Sequence, residues 1–102
     1  MTSCFGLFEE EWDLVFNLIS TYSEIEKVVL FGSRAKNSHK RGSDVDLAIK
    51  GKAITNDIIS SLRIDLEESN LPYFFDIVHY NTIQEQALIE HIDRVGKVVW
   101  NR

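Results

Sequence analysis

Lys27-Val28-Val29-Leu30-Phe31-Gly32-Ser33, then ten residues, then Asp44-Val45-Asp46-Leu47-Ala48-Ile49: the fold turns on this stretch. The first run is apolar, rich in β-formers and halted by Gly32, which predicts a buried strand. In the second, Val45, Leu47 and Ile49 alternate with Asp44, Asp46 and Ala48. That is the period-two pattern of another strand, ended by Gly51. Between them, Ser33 to Ser43 is small, polar and basic, and predicts a short helical turn followed by a loop.

Outward from this pair, helical patterns alternate with one more strand. Trp12, Val15, Phe16, Ile19 and Tyr22 fall at helical spacing over Glu9 to Tyr22, as core or as a helix docking face, with acids leading the first turn. Thr55 or Asn56 can cap a helix with the stripe Ile58, Ile59, Leu62 and Leu66, ending before Pro72, the only proline. Tyr73 to Tyr80 predicts a third strand with Asp76 in its middle. Asn81 or Thr82 is expected to cap a last helix through Val95, with Ile83, Ala87, Leu88, Ile92 and Val95 inward. Gly96 stops it, and Val98-Val99-Trp100 predicts a short terminal strand. This order indicates an α/β fold, a mixed sheet of three to four strands packed with helices, with residues 1–102 as a single domain.

Composition narrows the function classes. At 102 residues and 44% hydrophobic, the chain can build one modest core and cannot enclose a large substrate alone. The uncharged run Leu14 to Ser23 is well short of the ~18 residues of a membrane helix. The N-terminus has no basic region of the kind that opens a signal peptide, so a cytoplasmic location is expected and no membrane partner. Cys4 is the only cysteine, which excludes an internal disulfide and a cysteine zinc cage, and it reads as an inert thiol. A net charge of -5 disfavours direct nucleic-acid binding. The charge is unevenly placed: residues 1–26 hold six acids and no base, whereas 27–43 hold five bases and no acid. That basic stretch ends at two aspartates.

Three features carry chemistry. Gly32 lets the backbone approach a ligand closely, and Ser33 adds a hydroxyl at the opening of a turn, a pairing suited to phosphate. Asp44 and Asp46, two apart on a strand, share a face; their repulsion argues for a shared hard cation, although a solvated strand edge presents the same pattern. Asp76, in an apolar strand, reads as buried and so needs a partner: a backbone amide, an arginine such as Arg34, Arg41 or Arg63, or the same metal pair. Lys36 and Lys40 read as solvated loop residues. Arg34 and Arg41 are open between ligand contacts and partners for the aspartates. His39, His79 and His91 show no ligand spacing; His79 and His91 read as packing or surface residues.

Together, Gly32-Ser33, Asp44-x-Asp46 and a later Asp76 resemble the signature of the DNA polymerase β-like nucleotidyltransferase superfamily. The whole chain is similar to its minimal nucleotidyltransferases (MNT proteins), including Gly32-Ser33-Arg34, Ser43-Asp44 and Leu71-Pro72. The resemblance implies a small nucleotidyltransferase domain in which Gly32, Ser33 and Arg34 bind a nucleoside triphosphate, with ATP favoured. It further implies that Asp44, Asp46 and Asp76 hold two Mg²⁺ ions, and that Asp76 helps deprotonate the attacking hydroxyl. Two metals so placed stabilise both the attacking and the leaving oxygen of an in-line displacement.

No acceptor-binding domain is evident. The resemblance implies a helical HEPN-type toxin as partner, with this chain as the antitoxin of a type VII-like pair, transferring AMP to a toxin tyrosine. A homodimer or hetero-oligomer is compatible with it. Two alternatives stand beside that reading: a stand-alone enzyme modifying a small hydroxylated molecule, and a non-catalytic nucleotide-binding antitoxin acting by contact.

Overall fold

The computed structural model describes residues 3–40 and 42–102. Its centre is a four-stranded mixed sheet. Strand β3 (Lys27–Phe31) pairs antiparallel with β4 (Val45–Lys50) on one side and with β6 (Lys97–Asn101) on the other. Strand β5 (Phe75–His79) lies parallel to β4 and forms the far edge, giving the order β5-β4-β3-β6. The expected α/β architecture and strand count are both realised.

The period-two pattern decides what each face covers. Val28, Leu30, Val45, Leu47 and Ile49 are fully buried against helices α1 (Glu9–Ser20) and α3 (Asn56–Glu67), through Val15, Ile19 and Leu62. The opposite face is covered by α4 (Gln86–Val95), where Ile92 packs with Val29, Phe31 and Ala48. Gly96 ends α4 so close to the sheet that a Cβ there would meet Val29 and the Ile92 carbonyl. The face under α4 also carries the aspartates.

Local chemistry accounts for the boundaries. Helix α3 begins where the Thr55 hydroxyl accepts the Ile58 N–H at 3.3 Å, as expected of a cap. Helix α1 stops at Ser20 rather than Tyr22, because the Ser20 and Thr21 hydroxyls turn back to the carbonyls of Asn17 and Leu18. The last helix starts later than predicted. Asn81 accepts from the Gly51 N–H at 3.2 Å, and Thr82 donates to the His79 carbonyl. Both candidate caps are thus spent, leaving a 3₁₀ turn (Tyr80–Thr82), and the helix begins at Gln86.

A small hairpin before α1, formed by β1 (Ser3–Cys4) and β2 (Leu7–Phe8), has no counterpart in the sequence pattern. Phe5 and Gly6 between them both have positive φ, as a two-residue primed turn requires. Trp12 anchors it by donating its indole N–H to the Cys4 carbonyl at 2.8 Å while stacking on Phe16. Trp12 is therefore core, and Cys4 is a free, exposed thiol. Among the described residues, no helix is long and apolar enough to cross a membrane.

Candidate active site

Strand register assembles the site. Asp46 is the partner of Phe31 across the antiparallel pair and of Asp76 across the parallel pair. One end of three adjacent strands therefore brings together the Gly32-Ser33 turn, Asp46 and Asp76. Since Val45 and Leu47 are committed to the core under α1 and α3, Asp46 must project from the other face. Asp44 immediately precedes β4 and is exposed.

Gly32 leaves β3 with φ +76 and opens the four-residue helix α2 (Gly32–Ala35). Its missing side chain is required twice over. The left-handed conformation favours glycine, and a Cβ at this position would overlap the Asp46 carboxylate. Turn and carboxylate are thus in direct contact. The loop that follows is tied back on itself: Ser38 N–H donates to the Ser33 carbonyl at 2.9 Å, and Lys40 N–H to the Ser43 hydroxyl at 2.9 Å. Among the described residues, none is hydrogen-bonded to the Ser33 hydroxyl.

Arg34 has a placement that neither reading of its charge anticipates. It is 3% exposed, and its guanidinium donates to three backbone carbonyls. Nη1 reaches Phe5 at 2.8 Å, Nη2 reaches Ser43 at 2.7 Å, and Nε lies 3.2 Å from both Ser43 and Asp44. The Tyr73 ring lies 5.2 Å from the guanidinium carbon. Arg34 thus clamps the N-terminal hairpin, the turn and the approach to β4 into one unit. Lys36 and Lys40 are not buried, in keeping with a solvated loop. Arg41 lies outside the described residues.

The electrostatics mark the carboxylates as a group. The Asp46 pKa is raised to about 6, first by burial, then by the charges of Asp76 and Asp44, with Arg34 opposing. Asp76 itself is exposed, which corrects the expectation of a buried acid: β5 is an edge strand, and its first residues on this face lie beyond the cover of α4. Of its suggested arginine partners, Arg34 is engaged as described and Arg63 donates to the Ile77 carbonyl at 3.1 Å. Oxygen-only donors whose mutual repulsion Arg34 offsets only in part are suited to a hard divalent cation. Among the described residues, no three acidic, His or Cys side chains are already drawn together as a metal-holding group. The carboxylates form an open cluster rather than a closed cage.

One contact lies beyond the sequence reading altogether. His91, on α4, accepts the Gly32 N–H at its Nε2, 3.2 Å away, and sets its ring edge-on to Phe31. Its only sequence trace is that it shares a helix face with Leu88 and Val95. His79 lies on the opposite sheet face, with Nε2 3.2 Å from the Gly51 carbonyl. A cleft of about 510 Å³ lined by Cys4, Phe5, Trp12, Phe16, Val98 and Val99 includes none of the site residues.

Known proteins share this fold. The family model "Polymerase beta, Nucleotidyltransferase" matches residues 15–102. No curated protein matches the sequence. Among solved structures, a toxin–antitoxin crystallised with AMP-PNP superposes with a TM-score of 0.73 at 22% identity, over 88% of this chain and 73% of that one. The toxin–antitoxin MntA-HepT gives 0.69 at 18%, over 93% and 74%. A tri-AMPylated Shewanella oneidensis HEPN toxin in complex with MNT antitoxin gives 0.66 at 20%, over 88% and 69%. At these identities the likeness establishes the fold.

Proposed function

The chain belongs to the polymerase beta nucleotidyltransferase family, and from that membership we propose that it transfers AMP from ATP to a tyrosine hydroxyl of a HEPN-type toxin. It would thereby act as the antitoxin of the pair. The observation that carries this reading is the contact between Gly32 and Asp46, which sets a phosphate-suited turn directly against a carboxylate cluster. The likeness to a tri-AMPylated HEPN toxin in complex with MNT antitoxin supports the choice of acceptor and of nucleotide.

In this mechanism the Ser33 hydroxyl and the turn's backbone hold the outer phosphates, with Gly32 permitting the approach. Asp44, Asp46 and Asp76 would hold Mg²⁺. When bound, Mg²⁺ would offset triphosphate charge and favour loss of pyrophosphate. Asp76, exposed at the sheet edge, is open to an incoming protein and takes the proton of the attacking tyrosine. Arg34, buried and bonded to three carbonyls, holds the turn and the Asp44 backbone in fixed relation.

The test is transfer of label from α-labelled ATP to the HEPN partner in the presence of Mg²⁺. Label should reach a tyrosine, and Asp46→Asn should abolish transfer while leaving the circular dichroism spectrum intact. Undiminished transfer by that variant would overturn the proposed carboxylate mechanism. Inhibition of the toxin by the double variant Asp44→Asn/Asp46→Asn at unchanged affinity would replace catalysis with neutralisation by contact.

A further inference from the structure

We propose that His91 is a positioning residue for the Gly32-Ser33 turn, holding the Gly32 amide through an unprotonated Nε2 so that the turn stays seated against Asp46. This rests on the reading of the turn as the polyphosphate-binding element. The Gly32 N–H opens α2 and so has no acceptor within that helix. It is part-buried, where an unpaired amide is costly. The acceptor comes instead from a helix 59 residues away in sequence.

The placement of that acceptor is rigid. Its neighbour Ile92 is 2% exposed and packs on Val29, Phe31 and Ala48, while Gly96 lets the end of α4 approach the sheet closely. The His91 ring stands edge-on to Phe31 at a centroid distance of 6.1 Å. Phe31 is in turn the register partner of Asp46. Sheet, helix and histidine therefore converge on one amide.

Two chemical consequences follow. Because Nε2 accepts, the ring proton of neutral His91 resides on Nδ1. Because the Gly32 amide is already engaged, an incoming phosphate is met by the Ser33 hydroxyl and the amides after Gly32. His91 thus fixes which donors of the turn face the ligand, without touching the ligand itself.

The experiment compares His91→Gln, whose side-chain oxygen reaches about as far as Nε2 and can accept, with His91→Leu, which cannot. Affinity for ATP is measured by titration calorimetry, independently of any transfer, and nitrogen-15 NMR reads the imidazole tautomer and the Gly32 amide. The wild type should show the Nδ1-protonated tautomer. His91→Leu should shift the Gly32 amide and weaken ATP binding about tenfold, and His91→Gln should restore both. In the transfer assay the loss should fall on KM rather than kcat.

A wild-type tautomer protonated on Nε2 would overturn the proposal, as would unchanged ATP affinity in His91→Leu. Failure of His91→Gln to restore affinity would overturn it as well. If His91→Leu does not fold, the wild-type tautomer and the His91→Gln affinity still decide. A wild type that binds ATP with this His91 dependence yet labels no partner would leave the positioning role standing and remove the proposed reaction.

Discussion

Gly32 and Asp46 occupy space that only a hydrogen at position 32 allows them to share. The strand that carries Asp46 and the turn that leaves β3 cannot be separated by even one methyl group without moving one of them. Gly42 provides the control, since it has a similar positive φ of +86 but, among the described residues beyond its chain neighbours, no atom within 4 Å of where a Cβ would stand. Gly42→Ala should cost about 1 kcal/mol from backbone strain alone and leave transfer intact. Gly32→Ala adds overlap to strain; it should cost roughly 2–4 kcal/mol and abolish transfer. Urea titrations of the two variants, with the labelling assay alongside, check the difference. Equal costs would show that the overlap is relieved elsewhere.

The raised pKa of Asp46 makes stability depend on pH in a definite direction. Folding holds a proton that the unfolded chain releases near 3.8, so the folded state binds more protons between that value and about 6. Stability therefore falls as pH rises through this window and stays lower above it. Asp46→Asn should flatten that slope and raise the melting temperature at pH 7.5. Solvent screening of a half-exposed group keeps the gain within ~1 kcal/mol. Adding Mg²⁺ should raise the wild-type melting temperature more than that of the variant. Differential scanning calorimetry from pH 3.5 to 8 reads both effects.

Arg34→Lys keeps the charge and loses the fork that serves three carbonyls. Its cost should be about 2–4 kcal/mol, with the carbonyls of Phe5, Ser43 and Asp44 left underbonded. Lys36→Ala, on the exposed loop, should stay within about 0.5 kcal/mol. A denaturant titration giving the same midpoint for both would refute the clamp.

Much of this architecture is legible in the sequence because it is written in short periods. Alternation over Val45 to Ile49 locates β4 and places both motif aspartates on one face, and Gly32 marks the end of β3 correctly. Thr55 announces its helix by its chemistry. What escapes are pairings between distant positions. Helical spacing places His91 on the face of Leu88 and Val95 but does not name Gly32 as its partner, and the carbonyls that Arg34 binds are invisible in side-chain composition. Asp76 reads as buried because its strand is apolar, but strand order decides exposure, and order is a tertiary property. The late start of α4 has the same origin, since Asn81 prefers a distant glycine amide to its own helix.

Ile92→Ala removes the one fully seated side chain of α4, at a cost of about 2–4 kcal/mol. Because His91 is its neighbour, ATP affinity should fall too, and the Gly32 amide resonance should broaden. Leu62→Ala, on the other face, should cost as much stability while leaving that resonance sharp. Paired NMR spectra and melting curves separate the two.

The two faces of the sheet are unequally bound: among the described residues, sixteen buried side chains form the cluster under α1 and α3, and four form the one under α4. Opening α4 alone therefore requires far less free energy than unfolding the domain. On warming, the Gly32-Ser33 turn would lose its brace while the sheet is still whole, and activity would fade below the melting temperature. Amide exchange would show α4 as a separate, weaker unit of cooperativity. A transferase built this way would lose activity before it unfolds, so its thermal limit is set by one helix.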